Sequence, residues 1–158
     1  MNILVLCTGN SARSILLESL LNHLGAGQVT AFSAGSRPAG RVNPHAIALL
    51  AREGHATEGF RSKSWDVFGT EDAPGMDIVI TVCGTAAGET CPVWPGTPLR
   101  AHWGVEDPAA APEAEAPAAF AEAYGILRRR AEAFLAQPVH TMDRPTLEQH
   151  LKGCGEVA

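Results

Sequence analysis

A chain of 158 residues with a formal net charge of −5 has the length of one domain and lacks the basic surface that nucleic-acid-binding proteins use. No apolar run approaches the roughly 18 residues of a membrane span, and no basic segment precedes a short apolar one as in a signal peptide. We therefore expect a cytoplasmic protein that binds neither nucleic acid nor a membrane. Its four cysteines are then expected to be catalytic, redox-active or metal-binding.

Strands and helices alternate along most of the chain. Short apolar or β-branched runs predict four buried strands, at 2–7, 28–33, 77–83 and 99–103. Apolar residues at helical spacing predict three helices, at 14–24, 44–52 and 116–135. This order predicts a three-layer α/β domain with a central four-stranded parallel sheet. We expect the catalytic domain to span residues 1–137, followed by a weakly packed C-terminal tail at 138–158.

Cys7 ends the first predicted strand, and Arg13 stands where the next helix begins. Ligands of parallel α/β sheets bind at this edge, and small residues there can turn their N–H groups inward around an anion. The predicted oxyanion-binding residues are Thr8, Gly9, Asn10, Ser11, Ala12, Arg13 and Ser14. The same donors favour the nucleophilic thiolate form of Cys7. The alternative is an inert buried cysteine beside a surface arginine.

Several motifs carry a family resemblance. They read CTGNSARS at 7–14, FSAG at 32–35, VNP at 42–44, SKSWD at 62–66, CPVWPG at 91–96 and HWGVEDP at 102–108. The first resembles the phosphate-binding loop of the low-molecular-weight tyrosine phosphatase superfamily. Within that superfamily, the chain is similar to the thiol-dependent arsenate reductases.

The resemblance implies a reaction and a role for each site residue. Cys7 would attack arsenate, Arg13 would stabilise its charge, and Asp107 would protonate the departing oxygen. Cys83 would then attack Cys7 and release arsenite, and Cys91 would attack Cys83. A thioredoxin-type thiol donor would reduce the final disulfide. From the local sequence alone, Asp107 followed by a proline would be interpreted as part of an ordinary turn.

Other functions remain open at this stage. A tyrosine or small-molecule phosphatase would use the same loop through a Cys7 phospho-enzyme, with Cys83 and Cys91 incidental. A binding module would hold an oxyanion without turnover. A zinc site is disfavoured, because the cysteines and histidines lack zinc-ligand spacing. Ala109 follows the Asp-Pro pair where phosphotyrosine phosphatases of the superfamily tend to carry an aromatic residue, which favours the reductase.

Two further expectations concern the electron donor and a potassium ion. The segment between Cys83 and Cys91 is slightly longer than in the thioredoxin-coupled reductases, so glutaredoxin- and mycothiol-type donors remain alternatives to thioredoxin. We expect no tightly bound cofactor. Some relatives hold potassium near residues that match Asn10, Glu18, Ser33 and Asp66. Cys154 is extra, and we expect it to be a bystander.

Overall fold

The computed structural model describes residues 1–83 and 98–158. Its four strands are β1 (Asn2–Cys7), β2 (Thr30–Gly35), β3 (Ile78–Thr81) and β4 (Leu99–His102). They form a sheet in the order β2-β1-β3-β4, and each neighbouring pair is parallel. The predicted α/β class with a four-stranded parallel sheet is confirmed. The order places β1 in the interior of the sheet, where it is flanked by β2 and β3.

Four α-helices accompany the sheet in the described ranges. They are α1 (Arg13–Leu24), α2 (Pro44–Arg52), α3 (Ala116–Leu135) and α4 (Arg144–Cys154). Single turns of 3-10 helix lie at Trp65–Phe68, Pro108–Ala110, Glu113–Glu115 and Val139–Thr141. No helix in these ranges is long and apolar enough to cross a membrane.

Strand β2 begins two residues later than the sequence indicates. The N–H groups of Gln28 and Val29 both bond to the carbonyl of Gly25 and close the turn after α1. The chain therefore enters the ladder only at Thr30, whose N–H bonds to the carbonyl of Met1. Strand β3 is also shorter than predicted, so Cys83 lies two residues beyond its end.

The sheet is buried on both faces because the side chains of β1 alternate between two cores. Ile3, Val5 and Cys7 face the larger core, to which all four helices contribute. Leu4 and Leu6 face a smaller core that the turn Trp65–Phe68 covers. The carboxyl end of β1 is thereby held between two packed layers, which gives Cys7 a rigid base.

The expectation of a weakly packed tail at 138–158 is wrong. Val139, Leu147, Leu151 and Cys154 are buried in the larger core, with at most 6 % of each residue exposed. Leu147 and Leu151 lie one helical turn apart on α4, so one face of this otherwise polar helix packs against the domain. Two leucines in a polar segment are too weak a periodic signal for a confident helix assignment from sequence.

Candidate active site

Cys7 is the last residue of β1 and only 3 % exposed. Two groups approach its sulfur: the N–H of Asn10 donates to Sγ over 3.3 Å, and the hydroxyl of Ser14 lies 3.0 Å away. We call residues 7–14, which wrap around this sulfur, the oxyanion loop.

The carbonyl oxygens of the oxyanion loop point outward. They accept backbone N–H groups from the segment 37–43 at 2.9 Å: Thr8 from Arg37, Gly9 from Ala39, and Ser11 from Asn43. The Ser62 hydroxyl also donates to the carbonyl of Gly9, at 2.9 Å. Because the N–H and C=O of neighbouring peptides point in different directions around such a turn, satisfying the carbonyls from outside leaves N–H groups for the concave side. This arrangement is compatible with the predicted anion-binding nest.

Asn10 is the centre of a buried hydrogen-bond network. Its amide nitrogen donates to the hydroxyls of Ser14 and Ser33, both at 2.9 Å, and its Oδ1 accepts the backbone N–H of Lys63 at 2.9 Å. Its backbone is left-handed, with φ of 46°, a conformation that asparagine tolerates better than most residues. Since Ser14 accepts from Asn10, its own hydroxyl hydrogen is available to the Cys7 sulfur.

Gly35 lets β2 approach the oxyanion loop closely. A Cβ atom at this position would lie 2.4 Å from the carbonyl oxygen of Thr8 and 2.9 Å from the backbone nitrogen of Asn10. Both contacts are with backbone, which cannot swing aside as a side chain can. Glycine is therefore required here by close approach rather than by its backbone angles.

Arg13 connects the oxyanion loop to residues 103–108, which we call the acid loop. Its Nη1 donates to the carbonyl of Val105 at 3.0 Å, and its Nη2 lies 3.7 Å from Oδ2 of Asp107. The other oxygen of Asp107 accepts the N–H of Ala109 at 3.0 Å and caps the following turn. A guanidinium has five N–H donors, so these contacts leave donors for an oxyanion. The neighbouring Glu106 is exposed.

Cys83 is brought to the edge of the sheet that carries Cys7. It is 3 % exposed, and its Sγ lies 3.4 Å from the hydroxyl of Thr8 in the oxyanion loop. This placement follows from the pairing of β1 with β3, which continues one residue further through the bond from Val82 N–H to the carbonyl of Leu6. Cys91 lies outside the described residues, so its predicted role is not addressed by the geometry.

The four residues of the potassium prediction have different surroundings. Burial raises the pKa of Glu18, while the charge of Lys63 and hydrogen bonds from Ser33 oppose that rise. Asn10 turns its N–H donors towards Ser33 and commits its oxygen to Lys63, and Asp66 is exposed. The Lys63 ammonium supplies positive charge near Glu18. Potassium binding by these four residues stays a prediction.

No group of three or more His, Cys, Asp or Glu side chains within residues 1–83 and 98–158 is arranged to hold a metal ion. Cys154 has a free thiol whose pKa is raised by burial, and it lies in the core rather than at the site. It is therefore a poor candidate for attack on any substrate at Cys7.

Sequence reasoning missed Ser62, Lys63 and Arg130. Ser62 and Lys63 belong to a motif that was noted without a role. Arg130 is 9 % exposed and donates to the carbonyl of Gly104 in the acid loop at 3.0 Å. The signal was present: among three consecutive arginines, it alone stands three residues after Leu127 and four before Phe134, on the apolar face of α3.

Comparison with known proteins agrees with this fold. The family model for low molecular weight phosphotyrosine protein phosphatases matches residues 2–144. The chain belongs to this family.

Several individual relatives in this family are arsenate reductases. The chain is similar to an arsenate reductase of Shouchella clausii, with 35 % identity over 67 % of this chain and 73 % of the relative. A solved arsenate reductase in its phosphate-binding state has a TM-score of 0.69 and 29 % identity, covering 85 % of this chain and 96 % of that one. A thioredoxin-dependent arsenate reductase of Corynebacterium glutamicum has a TM-score of 0.58 and 28 % identity, covering 80 % of this chain and 58 % of that one.

Proposed function

We propose that the protein is an arsenate reductase that works through Cys7, Cys83 and Cys91. The observation that carries the proposal is the second buried cysteine at the oxyanion loop, where the Cys83 sulfur lies 3.4 Å from the Thr8 hydroxyl. A phosphatase needs one nucleophilic cysteine, whereas reduction of arsenate needs a source of two electrons. The similarity to arsenate reductases supports the same assignment.

In the first step, the Cys7 thiolate attacks the arsenic of bound arsenate. An arsenic–sulfur bond forms, and one hydroxyl group of arsenate leaves as water with the proton that Asp107 donates. The inward N–H groups of the oxyanion loop and the Arg13 guanidinium stabilise the remaining negative charge. Ser14 steadies the sulfur by its hydroxyl.

Three thiol exchanges follow. The Cys83 thiolate attacks the Cys7 sulfur, and the arsenic–sulfur bond breaks with its electron pair left on arsenic. Arsenic passes from the +5 to the +3 state and leaves as arsenite, while Cys7 and Cys83 are oxidised to a disulfide. The Cys91 thiolate then attacks Cys83 and releases Cys7, and an external dithiol of the thioredoxin type reduces the Cys83–Cys91 disulfide.

The test is arsenate-dependent oxidation of NADPH in the presence of thioredoxin and thioredoxin reductase. We expect multiple turnover by the wild type and its loss in Cys7→Ser, Cys83→Ser and Cys91→Ser. Cys154→Ser is the matched control, a buried cysteine away from the site, and we expect less than about a twofold change. Normal turnover by Cys83→Ser or Cys91→Ser would refute the proposed exchange sequence.

A phosphatase acting through a Cys7 phospho-enzyme is the alternative, because family membership and the oxyanion loop suit both reactions. The alternative predicts hydrolysis of aryl phosphates that is lost in Cys7→Ser and kept in Cys83→Ser and Cys91→Ser, with no arsenate turnover by the wild type or by these variants.

For the reductase, replacing thioredoxin by glutaredoxin with glutathione, or by mycothiol with its reductase, identifies the thiol donor. Activity with only one of these systems would assign the reductant.

A further inference from the structure

We propose that Arg130 and the segment 151–157 position the acid loop, so that residues outside the site set the placement of Asp107. The inference rests on the proposed function, because it concerns the proton that Asp107 gives to the departing oxygen. Arg130 is assigned as a positioning residue, since it contacts the backbone of the loop and not the reacting atoms.

Arg130 joins two parts of the chain that are distant in sequence. From the buried face of α3, its Nη1 donates to the carbonyl of Gly104 at 3.0 Å, and its Nε donates to the carbonyl of Val157 at 2.8 Å. A buried guanidinium whose hydrogen bonds are satisfied by backbone holds those carbonyls in place, because leaving either donor or acceptor unpaired would cost free energy. One side chain therefore ties the start of the acid loop to the segment after α4.

The segment 151–157 also contacts Trp103, the residue just before Gly104. The indole N–H of Trp103 donates to the carbonyl of Leu151 at 3.0 Å, and the Trp103 side chain is fully buried. Gly155 packs so closely on this ring that a Cβ atom there would lie 2.7 Å from Trp103 Cδ1 and 3.0 Å from the carbonyl oxygen of His102. These contacts are independent of Arg130, and they hold the same short stretch of backbone.

Two arginines thus hold successive carbonyls of the acid loop. Arg130 binds Gly104 from the side of α3, and Arg13 binds Val105 from the oxyanion loop at 3.0 Å. The side chain of Asp107 is 44 % exposed, so its position depends on the backbone that leads to it. Loss of the Arg130 contacts would leave Gly104 without this donor and would detach residue 157 from the loop.

The test is a double-mutant cycle between Arg130→Met and Asp107→Asn, read as single-turnover reduction of arsenate with enzyme in excess. If Arg130 acts through Asp107, Arg130→Met lowers the rate roughly tenfold to a hundredfold in the wild-type background. In the Asp107→Asn background it lowers the rate less than about twofold, because the proton donor is already absent. A merely structural role would lower the rate equally in both backgrounds, and that result would overturn the inference.

Two further variants keep the test decisive if Arg130→Met unfolds. Arg130→Lys retains one charged donor and is expected to recover part of the rate. Gly155→Ala leaves the arginine intact but pushes the 155–157 segment off Trp103, and its smaller loss of rate is also expected to vanish in the Asp107→Asn background. The matched control is Arg128→Met on the same helix, where the arginine is 44 % exposed and pairs with Glu132 and Glu53. An Arg128→Met effect as large as that of Arg130→Met would also overturn the inference.

Failure of the proposed function gives a different pattern. If the wild type does not reduce arsenate, the same cycle is measured on p-nitrophenyl phosphate hydrolysis, which needs the same proton donor at the leaving oxygen. Coupling between Arg130 and Asp107 in that reaction would support the inference, while the missing arsenate reduction would refute the reductase. A wild type that is inactive in both reactions would overturn the proposed function and the inference, since there would be no reaction in which Asp107 donates a proton.

Discussion

The oxyanion loop and the acid loop meet at Arg13, but they differ in how far their own side chains are buried and bonded to one another. In the oxyanion loop, Cys7, Asn10 and Ser14 are each at most 3 % exposed, and they bond to one another and to Ser33. In the acid loop, the side chain of Asp107 is 44 % exposed, and the backbone is held at two carbonyls by arginines from other elements. The oxyanion loop thus combines its own buried side chains with outside partners, whereas the acid loop is held at its carbonyls by arginines of other elements.

Under the proposed function, the difference means that oxyanion binding and protonation have separate structural supports. A loop with buried, mutually bonded side chains keeps its geometry before any ligand arrives, which is what recognition of a tetrahedral oxyanion requires. A loop held at its base can still adjust at its tip, where the proton donor must follow the departing oxygen. Substitutions in the oxyanion loop should impair oxyanion binding and catalysis together. Substitutions in the acid loop should impair catalysis alone.

Asp107→Asn should have the largest effect of the substitutions that separate the two loops. We expect arsenate reduction to fall by about 10²- to 10⁴-fold, the usual contribution of a positioned general acid. Phosphate protection of Cys7 against iodoacetamide should stay within about threefold of wild type, because the oxyanion loop is intact. Glu106→Gln, an exposed neighbour, is the control. Loss of phosphate protection in Asp107→Asn would show that the acid loop also carries binding.

Asn10→Ala should damage both functions at once. It removes the hydrogen bonds to Ser14, Ser33 and Lys63 and places alanine at φ of 46°. We expect arsenate reduction to fall by roughly a hundredfold, phosphate protection to be lost, and the free energy of unfolding to fall by about 3 kcal/mol in urea titrations.

Asn22→Ala is the matched control for that substitution. The side chain of Asn22 makes two hydrogen bonds to the backbone of Ala31, at 3.0 and 2.8 Å, but it does not belong to the oxyanion loop. It should lower stability and leave activity per folded molecule unchanged. Equal activity losses in the two variants would mean that Asn10 contributes only stability.

Gly35→Ala should have a smaller effect of the same kind. The added methyl group would meet the Thr8 carbonyl at 2.4 Å and push the oxyanion loop away from β2. We expect phosphate protection and arsenate reduction to weaken together by roughly tenfold, since a shift below 1 Å suffices to misplace donors. Gly75→Ala, where a Cβ would meet nothing within 4 Å, controls for the substitution itself. Unequal losses in binding and reduction would break the proposed separation.

The smallest expected effect is on the pH dependence of stability, and it comes from His55, which contacts the helix that follows the oxyanion loop. His55 joins α1 to α3 through Ser19 at 2.8 Å and Tyr124 at 2.9 Å, and burial lowers the pKa of His55 below its ordinary value of 6.5. The folded state therefore binds fewer protons than the unfolded state between the lowered pKa and 6.5. Its stabilising contribution is complete above that window and is lost as the pH falls through it.

The measurement is the urea midpoint at pH about 7.5 and about 5.5, on either side of the ordinary histidine titration. The midpoint of the wild type should fall more on acidification than that of His55→Gln. His140→Gln, which alters an exposed histidine, should behave like the wild type. The same acid-dependent loss in His55→Gln and wild type would assign the effect to other groups.

The strands, the first three helices and the family motif follow from the sequence, apart from strand ends, because their signals are local. Asn2–Cys7 is a continuous apolar run, Pro44–Arg52 begins at a proline and ends at a basic residue, and Ala116–Leu135 repeats its apolar positions at helical spacing. Cys7 and Arg13 belong to the same short segment between strand and helix. Their closeness in the fold was therefore predictable, and the motif around them indicated the family that the comparison confirms.

The tertiary structure alone decided what supports those residues. The Asn10 network uses Ser33 and Lys63, Cys83 meets Thr8 only because β3 pairs with β1, and Arg130 reaches both Gly104 and Val157. Such contacts join residues tens of positions apart and depend on how layers pack, so no local pattern carries them. The sequence by itself determined the family and the groups that are proposed to act with Cys7. Packing determined which groups hold them there.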